Sequence, residues 1–319
     1  MKTIGVLTSG GDAPGMNAAV RSVVRTAIAL GMNVKGIHRG WNGLMEGDIV
    51  DLDVRSVSDI IHRGGTVLYS ARSPRFKTEE GMQEAIDNCK KHGIEGIVVI
   101  GGDGSYRGAR DLSLRGIPCV GVPGTIDNDI ASTEYTIGFD TAMNTAMEMV
   151  DKLRDTAQSH DRCSVVEVMG RHAGFLALQC GIAVGATAIL VPELDFDLDD
   201  VITKIKKSQK TGKKHFIIVV AEGVGNVEEK ARIIEEATGI ESRPSILGHV
   251  QRGGRPTVRD RVYATRFGYA AVQLLHKGIG NRVVGMNHGD IVDYDIFEAL
   301  NMEKPFDTEM FDVASTTAI

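Results

Sequence analysis

Residues 94–105 read IEGIVVIGGDGS, a mainly apolar run followed by a glycine-rich loop around Asp103. A short apolar run that ends in turn residues is typical of a strand buried on both faces. Residues 117–129 read IPCVGVPGTIDND and repeat this arrangement, with Asp127 and Asp129 in the loop. In an open parallel sheet, ligands bind at the carboxyl ends of the strands. Carboxylates there, beside glycines that let phosphates approach the backbone, favour magnesium-assisted phosphoryl transfer.

Apolar runs and amphipathic stretches alternate along the rest of the chain. The predicted strands are 2–7, 34–37, 94–100, 117–122, 164–169, 188–191, 216–220, 245–250 and 282–286. The predicted helices include 19–28, 79–92 (with Thr78 as its N-cap), 139–153, 198–207, 228–237 and 257–276. This order predicts an α/β protein with mostly parallel sheets covered on both faces. Because 319 residues are many for one core, we expect two domains with a boundary near Gly138.

Composition narrows the class of protein. The chain is 42% hydrophobic and 24% charged, as in ordinary globular proteins. A net charge of −6 disfavours a nucleic-acid partner. No run reaches membrane-spanning length, so no membrane partner is expected. The four cysteines lack metal-ligand spacing, which predicts buried free thiols, and with no signal peptide at the N-terminus we expect a cytoplasmic location.

Each motif has a structural reading beside the functional one. Asp103 could hold a cation or cap the next helix. Asp127 could accept a proton from a sugar hydroxyl, or the segment could be an Asx-capped turn. The turn around Gly11, between a strand and a helix, could bind a phosphate or be an ordinary connection.

Basic and aromatic residues leave similar alternatives. Five arginines near strand–loop junctions suit phosphate binding or a solvated surface, namely Arg72, Arg162, Arg171, Arg243 and Arg252. Arg21 and Arg25 share one helix face, and residues 213–215 form a basic run. Trp41, the only tryptophan, stands in a glycine-rich loop where an exposed ring could stack on a base.

Taken together, these motifs resemble the bacterial ATP-dependent 6-phosphofructokinase family (phosphofructokinase A family). The resemblance runs from the first strand to about residue 290. The motifs that carry it are residues 8–17, 101–105, 123–129, 169–171, 221–223 and 249–254.

The resemblance implies two similar three-layer α/β/α domains with the active site in the cleft between them. It assigns 1–138 plus about 251–301 to an ATP-binding domain and 139–250 plus about 302–319 to a fructose 6-phosphate-binding domain. It implies transfer of the γ-phosphoryl of MgATP to the 1-hydroxyl of fructose 6-phosphate in glycolysis, with Mg²⁺ as cofactor and a homotetrameric assembly.

The resemblance also implies residue roles. Asp127 would be the general base, Asp103 the metal-linked acid and Asp129 a metal-linked or positioning acid. The residues implied to steady the transferring group are Gly11, Arg72, Thr125 and Arg171. Those implied at the ATP site are Gly11, Trp41, Arg72, Ser73, Phe76, Lys77, Gly102, Asp103, Gly104, Ser105 and Gly108. Those implied at the sugar-phosphate site are Thr125, Asp127, Arg162, Met169, Gly170, Arg171, Glu222, Arg243, His249 and Arg252, with Arg162 and Arg243 supplied by a neighbouring subunit.

Two glycines bear on the phosphoryl donor. Pyrophosphate-dependent relatives tend to carry Asp where this chain has Gly104 and Lys where it has Gly124. An acid at 104 would crowd and repel the α-phosphate of ATP, so ATP is the expected donor.

A site for an ADP or phosphoenolpyruvate effector is also implied. Its candidate residues are Arg21, Arg25, Arg55, Asp59, Arg154, Gly185, Lys213, Lys214 and His215. Val54 and Thr211 stand where the family usually has arginine, and Thr187 where it usually has an acid. Because these changes remove phosphate donors and a metal-binding acid, we expect a weak effector response.

Two other functions fit parts of the sequence. A related kinase with the same Gly-Gly-Asp-Gly loop could act on NAD or a lipid, but that leaves Arg162 and the 249–252 run without a purpose. A non-catalytic nucleotide sensor on the same scaffold would not need Asp127 as a base.

Overall fold

The computed structural model describes residues Met1–Ala318. In these residues the strands are β1 (Thr3–Ser9), β2 (Asn33–Ile37), β3 (Ile49–Leu52), β4 (Gly96–Gly101), β5 (Cys119–Pro123), β6 (Cys163–Val168), β7 (Ala188–Leu190), β8 (Phe216–Ala221), β9 (Ser242–Ile246), β10 (Arg282–Asn287) and β11 (Asp290–Asp295). The α-helices are α1 (Met16–Ala29), α2 (Trp41–Glu46), α3 (Glu79–Lys91), α4 (Asp103–Ser113), α5 (Phe139–Ser159), α6 (Phe175–Ala183), α7 (Leu198–Lys210), α8 (Val227–Thr238), α9 (Val258–His276), α10 (Ile296–Ala299) and α11 (Thr308–Thr317). The predicted α/β class with mostly parallel sheets is confirmed.

The chain divides into two compact units. Unit 1 contains Met1–Ile126, Ile130–Thr141 and Arg252–Lys304. Unit 2 contains Asp127–Asp129, Ala142–Gln251 and the chain from Pro305 onward. The sequence-based division places residues 127–129 in the first domain, whereas they group with unit 2 here, and the assignment of the two domains stays a prediction.

Unit 1 is built on a seven-stranded sheet with the order β11-β10-β5-β4-β1-β2-β3. The five strands from β10 to β2 are parallel, and β3 and β11 pair antiparallel at the two edges. The central strand β4 is buried along its whole length, as its apolar sequence predicts. The edge strands were not predicted, because β11 is only partly buried and reads DIVDYD without a continuous apolar run.

Unit 2 is built on four parallel strands in the order β7-β8-β6-β9. All six residues of β8 are buried, and the core formed with α7 and α8 includes Ile205, Phe216 and Ile234. The predicted strand 245–250 is wrong beyond Ile246. Gly248 has a φ of 57°, which ends the extended backbone, and a 3-10 helix spans Gly248–Arg252.

Two local predictions are confirmed. The Thr78 hydroxyl accepts a hydrogen bond from the Gly81 amide at 3.1 Å and caps α3. The four cysteines are free and buried, and burial raises the pKa of Cys89 to about 12. Among residues 1–318, no helix combines the length and the apolar character that crossing a membrane requires.

Candidate active site

Three glycine-rich segments meet at one edge of the unit 1 sheet. They follow β1, β4 and β5, which are adjacent and parallel. From β1 the chain first adds β2 on one side and later β4 on the other, so the sheet order reverses between β1 and β4. Such a reversal point is where open α/β sheets bind ligands. The structure therefore confirms that the 101–105 loop and the start of the 124–129 segment lie side by side.

Specific contacts hold these segments together. The Gly124 amide donates to the Gly101 carbonyl at 3.0 Å. The Ser105 hydroxyl donates to the Ser9 carbonyl at 3.1 Å, which ties the β4 loop to the end of β1. A Cβ on Gly102 would lie 3.7 Å from Thr125. Ser105 thus fixes the backbone of the loop from a buried position.

The first turn of unit 1 carries an arginine. The Arg252 guanidinium donates from Nη1 to the Asp12 carbonyl at 3.2 Å. A Cβ on Gly11 would lie 2.2 Å from that same nitrogen, so only glycine permits this approach. The structure brings together Gly11 and Arg252, two residues predicted at different parts of the site, and gives the turn a local positive charge.

Asp103 is the first residue of α4, with Gly102 as its N-cap. Arg107 donates to its carboxylate from Nε at 3.0 Å and from Nη2 at 2.9 Å. Residues 1–318 hold no group of three His, Cys, Asp or Glu side chains arranged for a metal. Magnesium commonly binds one or two carboxylates plus substrate phosphates, so Asp103 fits a cation that arrives with a nucleotide.

Gly104 follows at the exposed start of α4. A Cβ built on Gly104 meets no atom within 4 Å. By contrast, a Cβ on Gly124 would lie 3.1 Å from Ile100 and 3.2 Å from Met16. The two positions that the resemblance links to the phosphoryl donor therefore differ physically, because position 104 is open and position 124 is packed.

The acids after β5 occupy different environments. Asp127 is 3% exposed, whereas Asp129 is exposed. Asn128 between them has a φ of 52°, the left-handed conformation that Asn tolerates well. This backbone reversal separates a buried carboxylate from an exposed one.

The prediction that Trp41 exposes its ring is wrong. Trp41 begins α2 and is only 4% exposed. Its indole stacks on Phe76 with ring centroids 4.3 Å apart and planes 9° apart. A Cβ on Gly108 would lie 2.8 Å from the indole, so Gly108 makes room for this ring. Local glycines suggested a loop, but core packing folds the segment into a helix.

Other residues predicted at the ATP site lie in the stretch before α3. Ser73 accepts a hydrogen bond from the Phe76 amide at 3.3 Å. Arg72 and Lys77 are exposed. This stretch offers two cations on either side of an aromatic residue that is fixed in the core.

Unit 2 repeats the pattern at the carboxyl ends of β6, β8 and β9. Met169, Gly170 and Arg171 follow β6, Glu222 follows β8, and His249 lies after β9. Glu222 accepts a hydrogen bond from the Arg171 amide at 2.9 Å. The Gln251 side chain accepts one from the Met169 amide at 2.9 Å. The sheet order reverses between β6 and β9, so these residues also lie where a ligand is expected.

Arg162 and Arg243 lie at the other end of this sheet. Arg162 precedes β6, and Arg243 pairs with Ser164 near the start of that strand. Both guanidinium groups bind Glu241, Arg162 through Nε at 2.7 Å. These ion pairs lower the pKa of Glu241. Since six residues of strand span about 20 Å, these arginines do not share a ligand with Arg171 in the same chain.

The candidate effector residues form separate groups in the two units. In unit 1, Arg21 and Arg25 line a pocket of about 680 Å³ between α1 and α9, and burial followed by Arg25 lowers the pKa of Arg21. Arg55 and Asp59 are exposed in the loop after β3.

In unit 2, Arg154 donates to the Val184 carbonyl, next to Gly185. Burial and then Arg154 lower the pKa of Lys213. Lys214 lies 3.5 Å from Asp161, and His215 is partly buried.

Two residues escaped the sequence analysis. Glu241 had no motif around it, although it stands two positions before Arg243. Asp260, between two arginines on α9, reads as a solvated helix residue but is fully buried. Only the three-dimensional contacts reveal either one.

The fold and these loops define a class, namely α/β proteins whose acidic and glycine-rich sheet edge is built for phosphoryl chemistry. The chain belongs to the phosphofructokinase family. The family profile, described as Phosphofructokinase, matches residues 3–275.

Individual relatives agree with the family assignment. A Bacillus licheniformis protein named ATP-dependent 6-phosphofructokinase is 57% identical over 319 residues, covering 100% of both chains. The structure of phosphofructokinase from Saccharomyces cerevisiae has a TM-score of 0.90 and 35% identity, and it matches 100% of this chain and 48% of the yeast chain. This chain thus spans about half of that yeast subunit.

A more distant structure shows the fold alone. The pyrophosphate-dependent phosphofructokinase from Marinobacter aquaeolei has a TM-score of 0.87 at 24% identity, covering 97% of this chain and 86% of its own. The architecture of this chain is therefore shared with a protein named for pyrophosphate as its donor.

Proposed function

We propose that this chain is a glycolytic kinase that transfers the γ-phosphoryl of ATP to the 1-hydroxyl of fructose 6-phosphate. The observation that carries this proposal is the full-length 57% identity to a protein named ATP-dependent 6-phosphofructokinase. Position 104 supports the donor, because the open glycine leaves room for a nucleotide phosphate at the start of α4. The buried thiols suit a reducing compartment, and we propose a cytoplasmic location.

In this proposal, Asp127 is the general base. Its carboxylate takes the proton of the sugar 1-hydroxyl as that oxygen bonds to the γ-phosphorus. The bond from the γ-phosphorus to the bridging oxygen breaks, and ADP leaves with the electron pair. Burial of Asp127 suits this role because an acceptor shielded from bulk water keeps a defined orientation.

Positioning and charge neutralisation supply most of the remaining catalysis. Arg252 lies against Gly11 in the first turn of unit 1, and Arg72 and Arg171 are exposed cations available to phosphate oxygens. Magnesium carried by ATP would neutralise phosphate charge, with Asp103 as its protein carboxylate.

A homotetramer is proposed from the family resemblance, and the placement of two arginines supports a site that is shared between subunits. Arg162 and Arg243 lie at the opposite end of the unit 2 sheet from Arg171 and Glu222. If they bind the 6-phosphate, they bind it in another subunit. Glu241 holds the two guanidinium groups together as one preformed anion site.

An assay that couples product formation to NADH oxidation, run with ATP or pyrophosphate as donor, tests the function directly. We expect activity with ATP. Replacing Asp127 by Ser should lower kcat by roughly 10²–10⁴-fold while the KM values change little. The control is Asp87→Ser, which removes an exposed acid on α3 and should leave kcat unchanged. Wild-type protein that transfers phosphate only from pyrophosphate would contradict the proposed donor, and unchanged turnover in the Asp127 variant would remove it as base.

A further inference from the structure

Asp260 is a buried carboxylate in a region of unit 1 that has no assigned role. It lies on α9 and is 0% exposed. Its Oδ1 accepts hydrogen bonds from the Tyr135 hydroxyl at 2.5 Å and from the Gly138 amide at 2.6 Å. Its Oδ2 accepts one from the Thr141 amide at 2.9 Å and another from the Thr141 hydroxyl. A buried charge with four donors is costly to assemble and holds its partners in one geometry.

The donors all belong to one short segment, residues 135–141. Burial, followed by the charge of Asp260, raises the pKa of Tyr135, so its hydroxyl keeps the proton that it donates. Burial also raises the pKa of Asp260, and the four hydrogen bonds oppose that shift. The hydrogen bonds thus favour the ionised carboxylate, which accepts from every neighbour.

Residues 136–137 of this segment contact residues 123–125, which lead into the proposed catalytic loop. The Thr136 hydroxyl donates to the Thr125 carbonyl at 2.7 Å. The Ile137 amide donates to the Pro123 carbonyl at 2.9 Å, and Ile137 pairs with Gly124 as an isolated parallel bridge. Residues 136–137 are therefore hydrogen-bonded to Pro123 and Thr125, at the end of β5 and the start of the segment that leads to Asp127.

The same segment also packs on the first turn. A Cβ on Gly15 would lie 2.6 Å from Ile137, and a Cβ on Gly138 would lie 2.7 Å from Ala13. Gly138 has a φ of 103°, a conformation that suits glycine alone. One segment therefore contacts both the turn around Gly11 and the segment that leads to Asp127.

We propose that Asp260 is a positioning residue for phosphoryl transfer, acting through residues 135–138 on the Gly124–Thr125 backbone and on the first turn. The proposal rests on the proposed function, because it assumes that the loop ending in Asp127 carries the chemistry. Asp260 touches neither substrate. Its carboxylate fixes residues 135–138, and these residues fix where the backbone of residues 124–125 lies before Asp127.

Replacing Asp260 by Asn tests this role. The amide places an NH₂ donor against a backbone N–H or the Thr141 hydroxyl, so at least one hydrogen bond is lost. Because a displacement of about 1 Å can cost about 100-fold in rate, we expect kcat to fall about 10- to 100-fold. The KM values for ATP and fructose 6-phosphate should stay within about threefold, since no side chain that is proposed to bind either substrate is replaced.

Two variants that each remove a single hydrogen bond keep the test valid if Asp260→Asn folds poorly. Tyr135→Phe removes one donor, and Thr136→Val removes the hydrogen bond to the loop without touching Asp260. The matched control is Ser113→Ala, because the buried Ser113 hydroxyl accepts from the Cys119 amide at the other end of β5 at 3.2 Å. All variants should lose some thermal stability, but only the first three should lose kcat.

A double-mutant cycle between Asp260→Asn and Thr136→Val gives the decisive result. If both act through one segment, the double variant should lose much less than the product of the single losses. Independent, multiplicative losses would overturn the proposal, as would unchanged kcat in folded Asp260→Asn or an equal kcat loss in Ser113→Ala. If the wild-type protein lacked kinase activity, the proposed function itself would fail, which is a separate outcome.

Discussion

Replacing Gly104 by Asp isolates the effect of one negative charge at the nucleotide site. A Cβ at this position meets nothing within 4 Å, so the added side chain creates no clash. The residue is second in α4, where an acid interacts favourably with the helix dipole by roughly 0.3–1 kcal/mol. The variant should therefore fold at least as well as the wild-type protein.

The added carboxylate should weaken ATP binding, because it repels the negatively charged phosphates. Two unit charges about 4 Å apart repel by about 1 kcal/mol in water and about 4 kcal/mol at an effective dielectric constant of about 20. Since 1.4 kcal/mol corresponds to about tenfold, kcat/KM for ATP should fall by between about fivefold and about a thousandfold.

The control is Gly104→Asn, which has nearly the same size but no charge. Initial rates with ATP and with pyrophosphate at saturating fructose 6-phosphate, together with the melting temperature, complete the assay. We expect the Asn variant to stay within a few fold of wild type and added salt to relieve part of the Asp effect. Unaltered ATP kinetics in Gly104→Asp, or equal losses in both variants, would refute the reasoning. Gly124→Lys cannot replace this test, because position 124 is already packed against Ile100 and Met16.

Other expected outcomes concern the second substrate and regulation. Glu241→Gln removes the carboxylate that competes with a phosphate for Arg162 and Arg243, so KM for fructose 6-phosphate should fall a few fold, whereas Arg243→Ser should raise it. Initial-rate kinetics at saturating ATP measure both effects. A change of this KM in the same direction in both variants would contradict the shared anion site. Because Val54, Thr187 and Thr211 carry no charge at positions that the resemblance implies for an effector, ADP and phosphoenolpyruvate should each shift half-saturation by less than about threefold. Strong sigmoidal inhibition relieved by ADP would show that other groups such as Arg55 compensate.

The parallel core of the fold was predictable from sequence because parallel strands buried on both faces have continuous apolar runs. The apolar run of β4 and the acids after it indicate both the strand and its functional end. The edge strand β11 has no continuous apolar run, because its residues are only partly buried and include both polar and apolar types. Pairing with β10 fixes it as a strand, and that pairing is a tertiary interaction.

The site was predictable to the extent that its residues stand in local motifs. Asp103 and Asp127 lie in glycine-containing loops that follow predicted strands, and this local pattern indicates a ligand site. Asp260 does not, since VRDRV on an amphipathic helix is typical of a solvated face. Its burial depends on Tyr135, more than a hundred residues away in the chain. Long-range hydrogen bonds of this kind are invisible to periodicity.

The packing of Trp41 gives the protein a built-in optical probe. The single indole is shielded from solvent and lies face to face with Phe76, four residues after Arg72. Its emission should resist collisional quenchers in solution and respond when the Arg72–Lys77 stretch moves. Fluorescence titration with ATP can therefore report a change in the surroundings of Phe76 without an added label, since no second tryptophan contributes background.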